Sequence, residues 1–144
     1  MPYISQKARD ELSRFRFPET PGELNYWITN ILLGSDIKKE QAVYISIMGY
    51  INNHPPSYNL YNSVVGVLSC VSMEISLRFS EAANITNNAK YSCSLRNIEL
   101  SAQNALQAVF MTFYKSVVAP YERQKRKEHG DLTCFEKLKN KEES

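Results

Sequence analysis

Residues 58–83 read YNLYNSVVGVLSCVSMEISLRFSEAA, and this stretch decides the fold class. Its apolar residues recur at intervals of three and four, which is the spacing of one face of an α-helix rather than the alternation of a β-strand. The members of this stripe are Tyr61, Val64, Leu68, Val71, Ile75 and Phe79. The spacing predicts one long helix whose apolar side must be covered by something else.

The same spacing returns after a polar turn that we predict at residues 84–90. Two helical stripes joined by a short polar turn most simply pack antiparallel, so we predict a long helical hairpin. The second stripe consists of Leu95, Ile98, Ala102, Ala105, Val109, Phe113 and Val117. Because two helices alone leave flanking apolar surface in water, we expect the hairpin to assemble as a homo-oligomer.

Shorter helices are predicted ahead of the hairpin. The first begins near Ser5, a residue that can cap a helix N-terminus. The second begins at Thr20, which would act as the N-cap, with Pro21 in the first helical position and Glu23 closing a capping box. Gly34 would end this second helix in the left-handed conformation.

Prolines mark the ends of two other predicted helices. Pro55 and Pro56 must end a third helix that begins near residue 35, and they predict a hinge between a front and a back half. Pro120 lies inside the second hairpin helix, where proline removes an amide donor and clashes one turn back, at a cost of about 3 kcal/mol. We therefore expect a kink or a restart near Ala119.

The expected class is an all-α helical bundle built around the hairpin, in a single domain. Its 144 residues are enough to bury a core without metals or disulfides. We expect short helices over residues 1–53, the hairpin over 58–130 and a C-terminal tail over 131–144.

Composition narrows the class of protein further. A formal charge of +2 is too small to indicate a polyanion partner by itself. The three cysteines are far apart, which favours reduced thiols over a metal or redox motif. The N-terminus has no signal-peptide pattern, and no run of about 18 apolar residues is present. We expect a soluble cytoplasmic protein with no membrane partner.

A basic cluster near the end of the last predicted helix raises the question of nucleic-acid binding. It contains Arg123, Lys125, Arg126 and Lys127. Basic residues near a helix C-terminus suit the helix dipole, and Tyr121 is the only aromatic residue among them, whereas single-strand binders present several stacking rings. The pattern favours a solvated helix end over a nucleic-acid interface.

Patterns typical of catalysis are scarce. His54 and His129 stand in a proline loop and at a helix end, without a P-loop, a zinc motif or a nucleophile at suitable spacing. We expect no metal and no cofactor. The enzymatic alternative is a small all-helical nucleotide pyrophosphohydrolase, in which Glu23, Glu74 and Glu99 would hold magnesium against a pyrophosphate. The simpler interpretation of Glu74 is an ion pair with Arg78 one turn on.

Several short stretches, taken in order, resemble a family of small uncharacterised proteins of bacteriophages and prophages. They are Met1-Pro2-Tyr3-Ile4, Gly22-Glu23-Leu24-Asn25-Tyr26 with Ile28-Thr29, Asn62 with Gly66-Val67-Leu68 and Glu74, and Val118-Ala119-Pro120-Tyr121-Glu122 with Gly130-Asp131. The resemblance implies a phage-encoded helical protein in the cytoplasm of an infected bacterium, and it brings no known activity.

The chain also departs from that family pattern. Ser63 and Ser69 stand where the family usually has glutamates, which weakens any acidic metal site inferred from the resemblance. Residues 77–112 are an insertion relative to the family pattern, so the long hairpin is expected to hold what is special to this chain.

The favoured function is that of a non-enzymatic binding protein, an oligomer that occupies a host protein or a small nucleotide signal in a counter-defence role. A nucleotide site would need basic residues with a tyrosine at a subunit junction. The candidates are Arg96, Tyr114, Lys115, Arg123 and Arg126. The alternatives are the pyrophosphohydrolase and a virion or scaffold component built on the same hairpin.

Overall fold

The computed structural model describes residues 4–14, 17–34, 38–86 and 89–128. These residues form helices and connecting turns with no β-strand, which confirms the all-α prediction. The chain divides into two compact units, Met1–Phe110 and Met111–Ser144. The helices are α1 Gln6–Arg14, α2 Pro21–Leu33, α3 Lys39–Asn52, α4 Tyr58–Thr86, α5 Ala89–Phe113 and α6 Ala119–Glu128, with a π-helical turn at Tyr114–Val118. The predicted tail at residues 131–144 lies outside the described residues.

The start of α2 confirms the predicted cap. Thr20 is the N-cap and accepts a hydrogen bond from the Glu23 N–H through Oγ1 at 3.2 Å, while Pro21 begins the helix. The Glu23 carboxylate accepts from the backbone N–H of Glu19 at 3.0 Å, one residue before the cap. One donor that the helix leaves open, the Glu23 N–H, is thereby satisfied, and so is the N–H of Glu19 just before the helix.

Gly34 ends α2 as predicted, but it is not left-handed. Its φ of −76° and ψ of 176° are extended backbone, and its N–H donates to the Ile31 carbonyl at 3.2 Å. The Lys39 ammonium donates to the Leu32 carbonyl at 2.9 Å. This side chain satisfies a carbonyl that a Gly in the left-handed conformation would otherwise help to satisfy.

The loop with the two prolines forms a corner inside the first unit. Ser57 caps α4, since its Oγ accepts from the Leu60 N–H at 3.0 Å. On the other side, the His54 ring nitrogen Nδ1 lies 2.9 Å from the Tyr50 carbonyl oxygen. Helices from both sides of this loop, α2 and α3 before it and α4 after it, pack together. The predicted hinge therefore does not separate two halves of the core.

The core of the first unit lies where α2, α3 and α4 pack together. The central part of the predicted α4 stripe is confirmed, since Val64, Leu68, Val71 and Ile75 are at most 2% exposed. From α2 the fully buried residues are Leu24, Ile28 and Leu32, and from α3 they are Val43 and Ile47. On α5 the stripe is buried at Ala102, Ala105 and Val109, whereas Ile98 remains 46% exposed.

Helices α4 and α5 form the predicted antiparallel hairpin. The Ser72 hydroxyl donates to Gln103 Oε1 at 2.7 Å, and the Gln103 amide donates to the Ser72 carbonyl at 2.9 Å and to Ser76 Oγ at 3.1 Å. Ser72 precedes the end of α4 by as many residues as Gln103 follows the start of α5, so the two helices run in opposite directions. The turn is shorter than predicted, because both helices extend into residues 84–90.

In the second unit, the predicted interruption before Pro120 is a π-helical turn. The Ala119 N–H donates to the Tyr114 carbonyl, five residues back. In an α-helix the Pro120 ring would clash with the Ser116 carbonyl, and the wider π turn removes that close approach. The extra residue in this turn also shifts the stripe, so that Val118 is buried and the predicted Val117 is not fully buried.

Among the residues that the structure describes, one helix meets the length and composition of a membrane span. It covers Tyr58–Asn84 within α4. From the sequence we expected no long apolar run and did not predict this helix as a candidate span. The core helix of a globular protein passes the same test, and α4 supplies the buried stripe described above. This finding is therefore weak support for a membrane location.

Candidate functional site

Among the residues of the second unit that the structure describes, the most strongly charged surface lies on α6. Arg123, Arg126 and Lys127 are spaced by three and four residues and share one side of the helix, which we call the α6 basic face. All three side chains are exposed, and α6 has no buried residue. Such a helix contributes nothing to a core and presents its charges to solvent.

The acidic residues of α6 pair with only part of this charge. Arg126 lies 3.8 Å from the Glu122 carboxylate, and Lys125 lies 3.2 Å from that of Glu128. The Lys125 ammonium is also 5.6 Å from the centre of the Tyr121 ring, and the hydrogen bond to Glu128 raises the pKa of Lys125. Residues 114–128 contain five basic and two acidic side chains, so the segment attracts anions.

The structure brings four of the five predicted ligand residues into one unit. Tyr114 and Lys115 are exposed on the π turn, and Arg123 and Arg126 are exposed on α6. Arg96 is also exposed, but it belongs to α5 in the first unit. Lys127 was not among the predicted site residues, although its spacing of four from Arg123 on a helix would have placed it on the same face.

Two of the three glutamates of the enzymatic alternative have local structural roles. Glu23 is 7% exposed and caps α2. Glu74 accepts from the Arg78 Nε–H at 2.8 Å, as predicted for this pair. Glu99 is partly exposed on α5. Within the described ranges, no group of three or more His, Cys, Asp or Glu side chains could hold a metal ion. The pyrophosphohydrolase stays a prediction without structural support.

Helix α2 carries a small polar cluster inside the core. Asn25 and Thr29 are each 1% exposed, and the Thr29 hydroxyl donates to the Asn25 backbone carbonyl at 2.8 Å. The Asn25 side-chain nitrogen has no hydrogen-bond partner among the described residues. Nearby in sequence, the Trp27 indole donates to Ser46 Oγ at 2.9 Å and joins α2 to α3.

These contacts give most of the stretch Gly22–Thr29 a structural role. Glu23 caps the helix, Leu24 and Ile28 are fully buried, and the Tyr26 ring lies 5.6 Å from the guanidinium of Arg9. The residues that carry the phage-type resemblance on α2 therefore hold the fold together.

The outer part of the hairpin is the second candidate surface. We call residues 76–101 the hairpin arm. None of its side chains that the structure describes, at residues 76–84 and 94–101, is buried. Large apolar side chains are exposed on it, with Leu77 at 56%, Ile98 at 46% and Leu100 at 57%. These exposed apolar side chains on two neighbouring helices make the arm a candidate interaction surface.

Comparison with known proteins identifies the family. Residues 1–132 match the model of a family described as a domain of unknown function, DUF6899. The matched range includes α1 to α6 and the predicted insertion at residues 77–112. No curated protein and no solved structure matches the chain. The chain belongs to the DUF6899 family.

Proposed function

We propose that this protein is a non-enzymatic binding protein of phage origin, which acts as an oligomer in the cytoplasm of an infected bacterium. Its target is an anionic group on a small nucleotide signal or on a host protein, and occupying that target is a counter-defence role. The observation that carries this proposal is the α6 basic face, which is exposed and does not contribute to the core.

The chemistry of the face suits phosphate or carboxylate groups. An arginine guanidinium presents a planar fork of donors that matches either group, and two arginines one turn apart can hold two such groups or one pyrophosphate. Arg126 shares its charge with Glu122 across 3.8 Å at the surface, a weak contact that a phosphate can replace. Tyr114, 40% exposed on the preceding turn, offers a ring on which a base can stack.

The first experiment is native mass spectrometry of the protein purified from infected cells. A retained nucleotide or host protein at fixed stoichiometry would support the proposal and identify the target. A chain that carries neither would count against it, and a nucleotide turnover screen with magnesium would then test the enzymatic alternative.

The second experiment reverses the charge of the α6 basic face. Binding of pyrophosphate and ATP to the full chain is measured by calorimetry for wild type and for the double variant Arg123→Glu/Arg126→Glu. The matched control, Lys7→Glu/Lys38→Glu, makes the same charge change at exposed residues of the first unit. We expect at least a tenfold loss of affinity in the α6 variant alone. Equal losses in both variants would indicate only non-specific attraction.

A structural component of a particle is the second candidate, favoured by the exposed apolar hairpin arm. Self-assembling helical components need such surfaces. Proteomic analysis of purified particles decides it, since a scaffold or virion protein is present there and a cytoplasmic binder is not.

A further inference from the structure

The π turn aligns Lys115 with two basic residues of α6. Because this turn holds one more residue than an α-helical turn, Arg123 follows Lys115 by two full turns and Lys127 by three. Each of them therefore lies within about 20° of the direction of Lys115 around the helix axis, whereas an unbroken α-helix would place them about 80° and 120° away. We call Lys115, Arg123 and Lys127 the basic line.

The basic line lies on the side of the helix opposite Phe113, a fully buried residue of the same unit. Counted in the same way, each member of the line is roughly half a turn round from Phe113. All three side chains are exposed, and none of them forms a hydrogen bond or an ion pair within the described part of the chain. Three cations thus face solvent on one side of the helix without an acidic partner there.

The two acidic residues of α6 pair with other cations. Glu128 lies 3.2 Å from Lys125, and Glu122 lies 3.8 Å from Arg126. The helix dipole favours basic residues in the last turn of α6, but Lys115 comes before that helix begins. Neither ion pairing nor the helix dipole therefore explains why Lys115 is aligned with the basic residues of α6.

The length of the basic line limits the size of its ligand. From Lys115 to Lys127 the line covers about 17 Å of helix axis, at about 1.5 Å per residue. The two phosphorus atoms of a pyrophosphate share one oxygen, so this compact anion reaches neighbouring cations rather than both ends of the line. A nucleic-acid strand carries one phosphate for about every 3.4 Å of duplex axis, so roughly five nucleotides cover the same distance. A chain of repeated phosphates therefore matches the line better than a mononucleotide does.

The residues around the basic line fit a nucleic acid better than an acidic protein. Among the described residues on this side of the helix, the apolar ones are the small Ala119 and Pro120. Protein interfaces have an apolar or aromatic centre with few lysines, whereas nucleic-acid interfaces are more polar and strongly positive. The line also offers no ring on which bases could stack, so its contacts are with phosphates rather than with bases.

We propose that the basic line binds the phosphodiester backbone of an oligonucleotide strand, free or within a duplex, irrespective of base sequence. We rest this assignment on the proposed function, whose target it narrows to a nucleotide chain rather than a mononucleotide or a host protein. It differs from the solvated helix end that the sequence pattern favours, because that pattern does not show the π turn that aligns Lys115 with α6.

The test measures binding to the full chain by fluorescence anisotropy over a series of salt concentrations. The probes are a single-stranded oligothymidylate of about eight nucleotides, which is longer than the line, the same strand in a duplex, ATP, and an oligoglutamate of equal charge. We expect the nucleotide strand to bind at least tenfold more tightly than ATP or oligoglutamate. Three phosphate contacts predict that log affinity falls with log salt with a slope of about −2 for the single strand and about −3 for the duplex.

Two matched variants assign the contacts to the line. Lys115→Gln removes one charge from the basic line, and Lys125→Gln makes the same change at an exposed lysine that lies off the line. We expect the single-strand slope to become shallower by about 0.7 in Lys115→Gln, since one phosphate contact is lost. The slope should stay at its wild-type value in Lys125→Gln. Both lysines are exposed, so neither change disturbs a buried contact.

ATP or oligoglutamate binding as tightly as the strand would overturn the inference and leave the proposed function intact, because a compact phosphate or a carboxylate is then the anionic target. The same salt slope in Lys115→Gln and Lys125→Gln would also overturn it. If none of the four probes binds, the proposed function fails as well. Tighter binding of either the single strand or the duplex, with the expected loss in Lys115→Gln, supports the inference and identifies the source of the strand.

Discussion

The side-chain amide of Asn25 is a buried group whose hydrogen bonding the described part of the fold leaves incomplete. Its side-chain nitrogen is buried with no partner among the described residues, and an unpaired buried donor costs about 1–3 kcal/mol. Asn25→Leu keeps the size and removes the donor, while the Thr29 hydroxyl keeps its bond of 2.8 Å to the backbone carbonyl of residue 25. We expect the free energy of unfolding to rise by about 1 kcal/mol in urea titrations.

The control for this variant is Asn25→Asp, which is similar in size but places a carboxylate in the same buried position. We expect it to destabilise the protein strongly, because a buried charge without a partner is costly. A loss of stability in Asn25→Leu would contradict the interpretation and would indicate that the amide has an acceptor within the fold.

Because of Tyr50, we expect the free energy of unfolding to fall at alkaline pH. Burial raises the pKa of Tyr50 above its usual 10.0. Between the usual value and the raised one, the native state keeps a proton that the unfolded state has lost. The unfolded state then binds fewer protons, so the free energy of unfolding falls as pH rises through this window. Tyr50→Phe removes the group and its pH dependence.

The measurement is the urea midpoint of wild type and Tyr50→Phe from pH about 8 to about 11, the range that brackets the tyrosine pKa. We expect a constant difference below about pH 9.5 and a relative loss for wild type above it. Parallel curves over the whole range would show that the Tyr50 phenol is not protected from ionising.

Single-residue features were predictable from sequence where they depend on neighbours in the chain. Thr20 with Pro21 and Glu23 defines a cap within four residues, and the structure confirms it. Gly34 ends α2 as predicted, but its left-handed conformation was predicted wrongly, because the Lys39 side chain, five residues on, satisfies a carbonyl at the helix end instead. The burial of Asn25 depends on packing between helices, which no local pattern shows.

At the scale of helices, the contact between Ser72 and Gln103 sets the register of the hairpin. A double-mutant cycle with Ser72→Ala and Gln103→Leu measures it, because each single change removes the same reciprocal hydrogen bonds. We expect a coupling free energy of about 1 kcal/mol. Additive single effects would contradict the antiparallel register. Gln107→Leu, at an exposed position one turn along α5, is the control and should not couple to Ser72→Ala.

The π turn before α6 is the element most dependent on one residue. Pro120→Ala returns an amide donor that can bond to the Ser116 carbonyl, so we expect the segment to become α-helical. Loss of the extra residue per turn rotates α6 about its axis by about 100° relative to Phe113. Amide exchange by NMR should show a protected amide at position 120 of the variant, and pyrophosphate affinity should change. If the residue 119 amide exchanges at the same rate in the variant as in wild type, and pyrophosphate affinity is unchanged, the π turn persists without proline.

Helix spacing predicted the inner stripe of α4 well, because every step of three or four keeps a side chain on one face. It failed after Phe113, where the π turn changes the step and Val118 rather than Val117 is buried. The spacing also could not show that Ile98 is exposed. That exposure results from the short length of α2 and α3 relative to α4, a property of how the helices stack rather than of their own pattern.

At the scale of the whole molecule, the residues that hold the core and those that carry the basic charge are largely separate. Among the described residues, all buried apolar side chains except Phe113 and Val118 lie in the first unit. The α6 basic face follows Phe113 and Val118 in the chain and lies on a helix with no buried residue. The single-domain organisation stays a prediction; of the two units, one holds most of the described core and the other carries the α6 basic face.

Two truncations test this separation. A chain ending at Val118 keeps every buried apolar residue that the structure describes and lacks α6. We expect its thermal midpoint to fall by less than about 3 °C, which is roughly what 1 kcal/mol produces in a chain of this size, and its pyrophosphate binding to disappear. A chain ending at Glu128 keeps α6 and is the control for removal of residues 129–144. It should match the full chain in both measurements.

If the shorter chain unfolds while the control does not, α6 is part of the fold and its charges cannot be assigned to binding alone. If both truncations bind pyrophosphate as the full chain does, the basic face is a solvated helix end and the anion site must lie elsewhere.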